Sequence, residues 1–229
     1  MTAEPQDILL ARQPIYNTNK EVIAYELLFR ENADIPSIGI FDGNRATSRV
    51  LLSLFTESDI TTVTNGLPAF INFTAELINN PPFFDPKSMI IEVLEDICIT
   101  DEIISSLKAL KQKGFTLALD DFVMDEKYRP LLEIVDIIKL ELPAMDDATL
   151  EKTIQTLKPY NVKILAEKIE TPELFNRCRD LGCDMFQGYF LAKPEIIKGK
   201  KIAASKLSVL SLISGSVYFI SSSISAFLS

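Results

Sequence analysis

The sequence predicts an α/β fold: a parallel sheet, open or closed into a barrel, entered through an antiparallel strand pair. Two observations carry this prediction. Short apolar runs alternate with helix-period segments: AFINF (69–73), MIIEV (89–93), FTLAL (115–119), IVDII (134–138), VKILA (162–166) and MF (185–186). Strand and helix repeated in this way need crossover connections, which place neighbouring strands parallel. The front of the chain breaks the pattern, because strands near 7–12 and 21–28 are joined by the turn-like YNTNKE and not by a helix. A short polar turn between two strands makes an antiparallel pair.

The second strand ends in YELLFR (25–30). In an extended chain Glu26, Leu28 and Arg30 share one face, since strand side chains alternate with period two. Between the later strands the helices declare themselves by spacing. Ile103, Ile104, Leu107 and Leu110 recur at helical intervals behind Thr100, an N-cap residue. Leu150, Ile154 and Leu157 form a similar stripe. In TPELFNRCRDLG, Thr171 caps, Pro172 suits the first turn, Leu174, Phe175, Cys178 and Leu181 form the buried stripe, and Gly182 ends the helix.

Composition narrows the chemistry. The 229 residues hold 23 Lys+Arg against 32 Asp+Glu, a formal net charge of −9, with 47% hydrophobic residues. This is the balance of a globular protein that does not bind duplex nucleic acid or anionic membranes nonspecifically. With no histidine in the chain, Ser-His-Asp and Cys-His catalysis and imidazole metal ligation are excluded. Cys98, Cys178 and Cys183 are odd in number and lack C-x-x-C spacing, which predicts reduced thiols and a cytoplasmic protein. The N-terminus lacks the basic and apolar regions of a secretory signal. Residues 207–229 carry no charge and are long enough to span a bilayer, but nine of those 23 are serine. A packed apolar tail or a helix of an altered second domain is expected there ahead of a membrane span.

Each apolar run finishes on a residue that a core strand would not choose. Asn72 closes the first run and Glu92 the second, with Glu95 just beyond; Asp120 and Asp121 follow the third. Lys139, Glu167 and Gln187 follow the fourth, fifth and sixth. Parallel barrel strands all point one way, so these residues would meet at the C-terminal face, where barrel enzymes place their chemistry. Carboxylates so gathered repel unless cations sit among them, and Glu, Asp and Asn oxygens suit Mg²⁺ or Mn²⁺. Two such ions can activate water for phosphoryl displacement. The bland alternative makes the same residues solvated loop starts and helix caps, for which Asp120 and Asp121 are individually suited.

Together and in this order, these motifs resemble the EAL domain, the cyclic di-GMP phosphodiesterase and receptor domain of bacteria, over about residues 8–200. The matching stretches are Glu26-Leu27-Leu28 with Arg30, Asn72 in INFT, Glu92-Val93-Leu94-Glu95, LALDDF, IIKLE, AEKIET and FQGYFLAKP. The resemblance implies a modified TIM (β/α)8 barrel with an antiparallel first strand. It implies hydrolysis of cyclic di-GMP to linear 5′-pGpG with Mg²⁺ or Mn²⁺, two ions in the active form. Carried across by residue, it makes Glu26, Asn72, Glu92, Asp120, Asp121 and Glu170 metal residues, and Lys139, Glu167 and Glu26 the catalytic set. Gln13, Leu28, Arg30 and Gln187 would meet the ligand. A homodimer or a signalling partner protein is a further expectation.

Two departures qualify the resemblance. Phe122-Val123-Met124-Asp125 stands where the family has Phe-Gly-Thr-Gly, and Leu27 replaces alanine beside Glu26. ARQPIY with YELLFR is also similar to the degenerate branch that is followed by an HDOD domain. On that reading residues 1–202 are the barrel, and 203–229 are the remnant of a truncated HDOD domain. Three functions stay open: a metal-dependent phosphodiesterase, a non-catalytic cyclic di-GMP receptor or protein-interaction module, and an unrelated metal-dependent barrel hydrolase.

Overall fold

The computed structural model describes residues 8–31 and 57–197. Eight strands close into a barrel. They are β1 (Ile8–Asn17), β2 (Val22–Glu31), β3 (Ala69–Phe73), β4 (Met89–Val93), β5 (Thr116–Leu119), β6 (Ile137–Glu141), β7 (Lys163–Glu167) and β8 (Met185–Phe186). From β2 to β8 each strand pairs parallel with the next. Strand β1 runs against both its neighbours, β2 and β8, and so closes the ring as its one reversed member. A short strand, β9 (Glu195–Ile197), adds to the outer end of β1, pairing Leu10 with Ile197 and Arg12 with Glu195.

The antiparallel opening is longer than the sequence suggested, because Asn17 organises a tight turn. Its side-chain oxygen accepts from the Asn19 and Glu21 N–H groups, and Lys20 takes a left-handed conformation (φ 61). Pairing can therefore run to the turn itself, from Ile8↔Glu31 to Tyr16↔Val22. The IVDII run is displaced for the opposite reason. The N–H groups of Ile134 and Val135 bond to Leu131 O at the end of a preceding helical turn, so the strand starts only at Ile137.

Helices α1 (Glu57–Val63), α2 (Ala75–Asn79), α3 (Asp101–Gln112), α4 (Arg129–Leu132), α5 (Asp147–Leu157) and α6 (Pro172–Leu181) connect or flank the strands. The Thr100 and Thr171 hydroxyls cap α3 and α6 by accepting from Ile103 N and Leu174 N, and Asp146 caps α5. Such a cap contributes about 1 kcal/mol. Gly182 ends α6 at φ 103, in the left-handed region open to glycine. The helical stripes bury Ile103, Leu107, Leu110, Leu150, Ile154, Leu157, Phe175 and Cys178.

Period two then divides the strands. Their outward residues, such as Leu27, Ile71, Val93, Leu117 and Ile138, join the main core under the helices. Their inward residues form a plug with one member from each of the eight strands: Ile15, Ala24, Phe70, Ile90, Ala118, Ile137, Leu165 and Met185. The barrel is thus filled below its mouth, as side chains fill a small barrel generally.

At the lower rim two aspartates repeat one device. Asp136, just before β6, donates its N–H to Leu117 O and accepts Leu117 N–H at Oδ2. Asp184, just before β8, treats Ile164 in the same way. Each extends a parallel ladder by one side-chain rung. Among the described residues no helix is long and apolar enough to cross a membrane; the tail at 203–229 lies outside the described residues.

Candidate functional site

The plug fixes where the polar residues go. Two positions beyond each inward apolar residue on β2 to β8, the next inward position is polar: Ala24 leads to Glu26, Phe70 to Asn72 and Ile90 to Glu92. In the same way Ala118 leads to Asp120, Ile137 to Lys139, Leu165 to Glu167 and Met185 to Gln187. On reversed β1 the relation inverts, so that Gln13 precedes Ile15 by two and pairs in register with Glu26. Eight strands place eight polar side chains above one apolar layer.

Lys139 is the centre of this ring. It is 1% exposed, and its Nζ lies 2.5 Å from Glu92 Oε1, 2.7 Å from Asp120 Oδ1, 3.2 Å from Glu167 Oε1 and 3.4 Å from Glu26 Oε1. The Gln187 amide donates to the other Glu26 oxygen at 2.6 Å. Gln13 donates to Ala192 O at 3.1 Å, fastening the segment after β8 to β1.

Burial shifts each of these groups, and the neighbouring charges either oppose that shift or add to it. Burial works against the Lys139 ammonium, yet Asp120, Glu167, Glu26 and Glu92 outweigh it and hold its pKa well above the ordinary lysine value. Burial likewise lifts Glu92 well above the carboxylate range against the pull of Lys139. Glu167 is pushed up to about 8, first by burial and then by Asp120 and Glu26. Asp121 is exposed as a residue, but its carboxyl is pushed up to about 6, by lost hydration and then by Asp120, Glu141 and Glu95.

The donor set fits a hard divalent cation. Asp120, Asp121 and Glu167 each offer a carboxylate oxygen, all within 4.8 Å of one another. Buried Asn72 Oδ1, Glu92 Oε2 and Gln187 Oε1 accept no hydrogen bond, while Glu92 Oε1 is ion-paired with Lys139 at 2.5 Å. A buried acceptor left bare is costly, and all-oxygen donors without nitrogen or sulfur suit Mg²⁺ or Mn²⁺.

The structure brings Glu26, Asn72, Glu92, Asp120, Lys139, Glu167 and Gln187 to one ring, with Gln13 alongside. Leu28 lies two residues above Glu26 on the same strand, half-buried. Arg30 belongs to β2, but its side chain lies outside the described residues. Glu170 is exposed in the loop after β7, and the carboxylate that stands with the two aspartates is Glu167. Neither Asp120 nor Asp121 caps a helix. The cap of the next helical turn is Asp125, which accepts from Lys127 N.

Both sequence departures look different in three dimensions. Leu27 is 3% exposed within the outer core, on the face of β2 opposite Glu26, so its bulk does not enter the mouth. In the altered loop the left-handed residue is Asp121 (φ 40), not Val123 or Met124. Phe122 and Tyr128 anchor that loop: Phe122 N bonds to Lys139 O, the two rings pack at 5.6 Å, and the Tyr128 hydroxyl donates to Glu95 O. Val123 and Met124 are carried outward between these anchors, each about half exposed.

Sequence reasoning missed Gly188. A Cβ there would lie 2.2 Å from Ile169 N and O, so only glycine lets the strand end bearing Gln187 pass the β7–α6 loop. Its signal was the glycine directly after a polar strand end.

Comparison with known proteins identifies the family and agrees with the fold. The EAL domain family matches residues 56–194. The chain is 36% identical over 213 residues to the uncharacterized protein YuxH of Bacillus subtilis, covering 90% of this chain and 52% of that one. It is 33% identical over 210 residues to the cyclic di-GMP phosphodiesterase CdgJ of Vibrio cholerae, covering 89% and 48%. The chain therefore spans about half the length of these relatives. Among solved structures, the Bacillus subtilis YkuI protein, with an EAL domain and in complex with c-di-GMP and calcium, superposes with a TM-score of 0.67 at 19% identity, over 94% of this chain and 64% of that one. A standalone EAL protein of Vibrio cholerae O395 in its c-di-GMP bound form gives 0.61 at 21%, over 84% and 94%. At such identities the structures speak for the fold alone, a closed barrel of the TIM type. With the family matched over more than half its length, this chain belongs to the EAL domain family.

Proposed function

We propose that the chain binds cyclic di-GMP at the barrel mouth and hydrolyses one phosphodiester to linear 5′-pGpG, using Mg²⁺ or Mn²⁺. The observation that carries the reading is the bare-oxygen ring: a complete set of inward carboxylates and amides, with buried acceptors that no protein donor satisfies. A ligand phosphate is anionic, and the chain carries a net charge of −9. Such a ligand therefore needs cations between itself and the acidic ring.

In this reading Asp120, Asp121 and Glu167 hold one cation, and Asn72, Glu92 and Glu26 donate to another, with Glu170 joining from its loop. Bound cations would lower the pKa of a water and neutralise charge developing on the phosphate. Gln187 keeps Glu26 oriented through its 2.6 Å bond. Lys139, within reach of four carboxylates, orients the attacking water and offsets phosphate charge. Gln13 and Leu28 line the approach from β1 and β2, and Arg30 would contact a ligand phosphate. The three cysteines are free, in keeping with a reducing cytoplasm.

A second reading, a receptor that binds without turnover, is favoured by the outward Val123 and Met124 in the loop that carries Asp121. Incubation with cyclic di-GMP and Mn²⁺, followed by chromatography, separates the two. The enzyme reading predicts linear product that falls by about 100-fold or more in Glu26→Ala and Lys139→Ala. Calorimetric binding with no product in the wild type would replace it with the receptor.

A further inference from the structure

We propose that Lys139 is the internal counter-ion of the barrel: its ammonium holds the carboxylate ring together, so that the fold does not depend on a bound metal. Its four partners come from β2, β4, the end of β5, and β7, spread around the ring. An ammonium has three donors, too few for four carboxylates at once. It can hydrogen-bond at most three of them together and holds the fourth through charge alone. Glu92 Oε1 is its nearest oxygen, 2.5 Å from Nζ.

The need for a resident cation follows from burial. The Glu92 and Lys139 side chains are 0% and 2% exposed, and those of Glu26, Glu167 and Asp120 are 12%, 12% and 14% exposed. Water screens little there, and carboxylates packed this closely destabilise the closed barrel unless a positive charge stands among them. Lys168, the other lysine ion-paired near the mouth, is turned outward to Glu141 and is 57% exposed. Among the described residues Lys139 alone pairs with all four members of the ring. Asn72 Oδ1, Glu92 Oε2 and Gln187 Oε1 remain bare. A divalent ion thus adds to the ammonium without having to assemble the ring.

Removing the ammonium while keeping the stem's bulk isolates this role. In EDTA, Lys139→Met should lower Tm by roughly 10 °C, the scale expected when one partner of a buried charge set is deleted. Mn²⁺ should bind the variant more tightly than the wild type, by roughly tenfold, and should raise its Tm by more. The double variant Lys139→Met/Glu92→Gln should regain part of the lost Tm in EDTA, because the most deeply buried of the four carboxyl groups is then replaced by a group that cannot ionise. An unchanged Tm in Lys139→Met, a weaker Mn²⁺ affinity, or a further loss in the double variant would overturn the proposal. So would a Lys139→Met protein that neither Mn²⁺ nor Glu92→Gln returns to the folded state. The proposal rests on ring geometry and not on hydrolysis. A wild-type protein without turnover would refute the enzyme reading and leave these thermal outcomes intact.

Discussion

At the scale of single residues, the raised carboxyl groups make a prediction about pH. A carboxyl whose folded pKa lies above its unfolded value destabilises the fold once both states are ionised, and that cost is relieved as pH falls. Glu167, at about 8 when folded, gives a window from roughly 4.5 to 8. Asp121, at about 6, adds to its lower part. In EDTA, Tm should therefore fall as pH rises from 5 to 8, and Mn²⁺ should flatten the slope. Thermal unfolding across that range checks it, and a Tm rising with pH would contradict it. Individual residues were also where sequence reading was weakest. Spacing announced Glu92 and Lys139, but not that four carboxylates converge on one Nζ, because that depends on barrel closure. It suggested that Leu27 would crowd Glu26, whereas adjacent strand residues face opposite sides. Motif order placed Glu170 among the ligands but carries no information about which way a loop residue turns, and Glu170 is exposed here.

At the scale of elements, the rungs under the barrel can be tested separately from the mouth. Asp136→Ala leaves Leu117 N–H without its side-chain partner, and Asp184→Ala does the same to Ile164. Each should cost about 1–3 kcal/mol in urea unfolding, and fold retention should leave cyclic di-GMP binding unchanged. Gly188→Ala should behave differently. Its new Cβ would strike the Ile169 backbone, costing about 3 kcal/mol and shifting Gln187 away from Glu26, so that binding and stability fall together. Elements were largely legible: AFINF, MIIEV and MF are strands over the residues expected, Thr100 and Thr171 start their helices, and Gly182 ends one. The lower-rim aspartates and β9 were not. An aspartate before a strand reads as a turn residue, and a three-residue strand has too few positions to display alternation.

At the scale of the whole molecule, net charge governs ligand capture. A protein at −9 with an acidic mouth should bind cyclic di-GMP by calorimetry in Mn²⁺ and lose that binding in EDTA; binding that survives EDTA would remove cations from the recognition scheme. The fold class was legible because strand and helix alternate, and the reversed strand because YNTNKE is too short for a crossover. The reversal has a consequence for wiring. An all-parallel barrel takes in its chain at the face opposite its chemistry. Here β1 descends from the mouth, and β9 returns to pair with its upper end, Leu10 beside Ile197. Input and output of the barrel therefore share one rim with the ligand site. Gln13 is joined to both of these segments, through its own strand and through Ala192. The reversed strand brings Leu10 and Ile197 together on the side of the barrel that carries the polar ring.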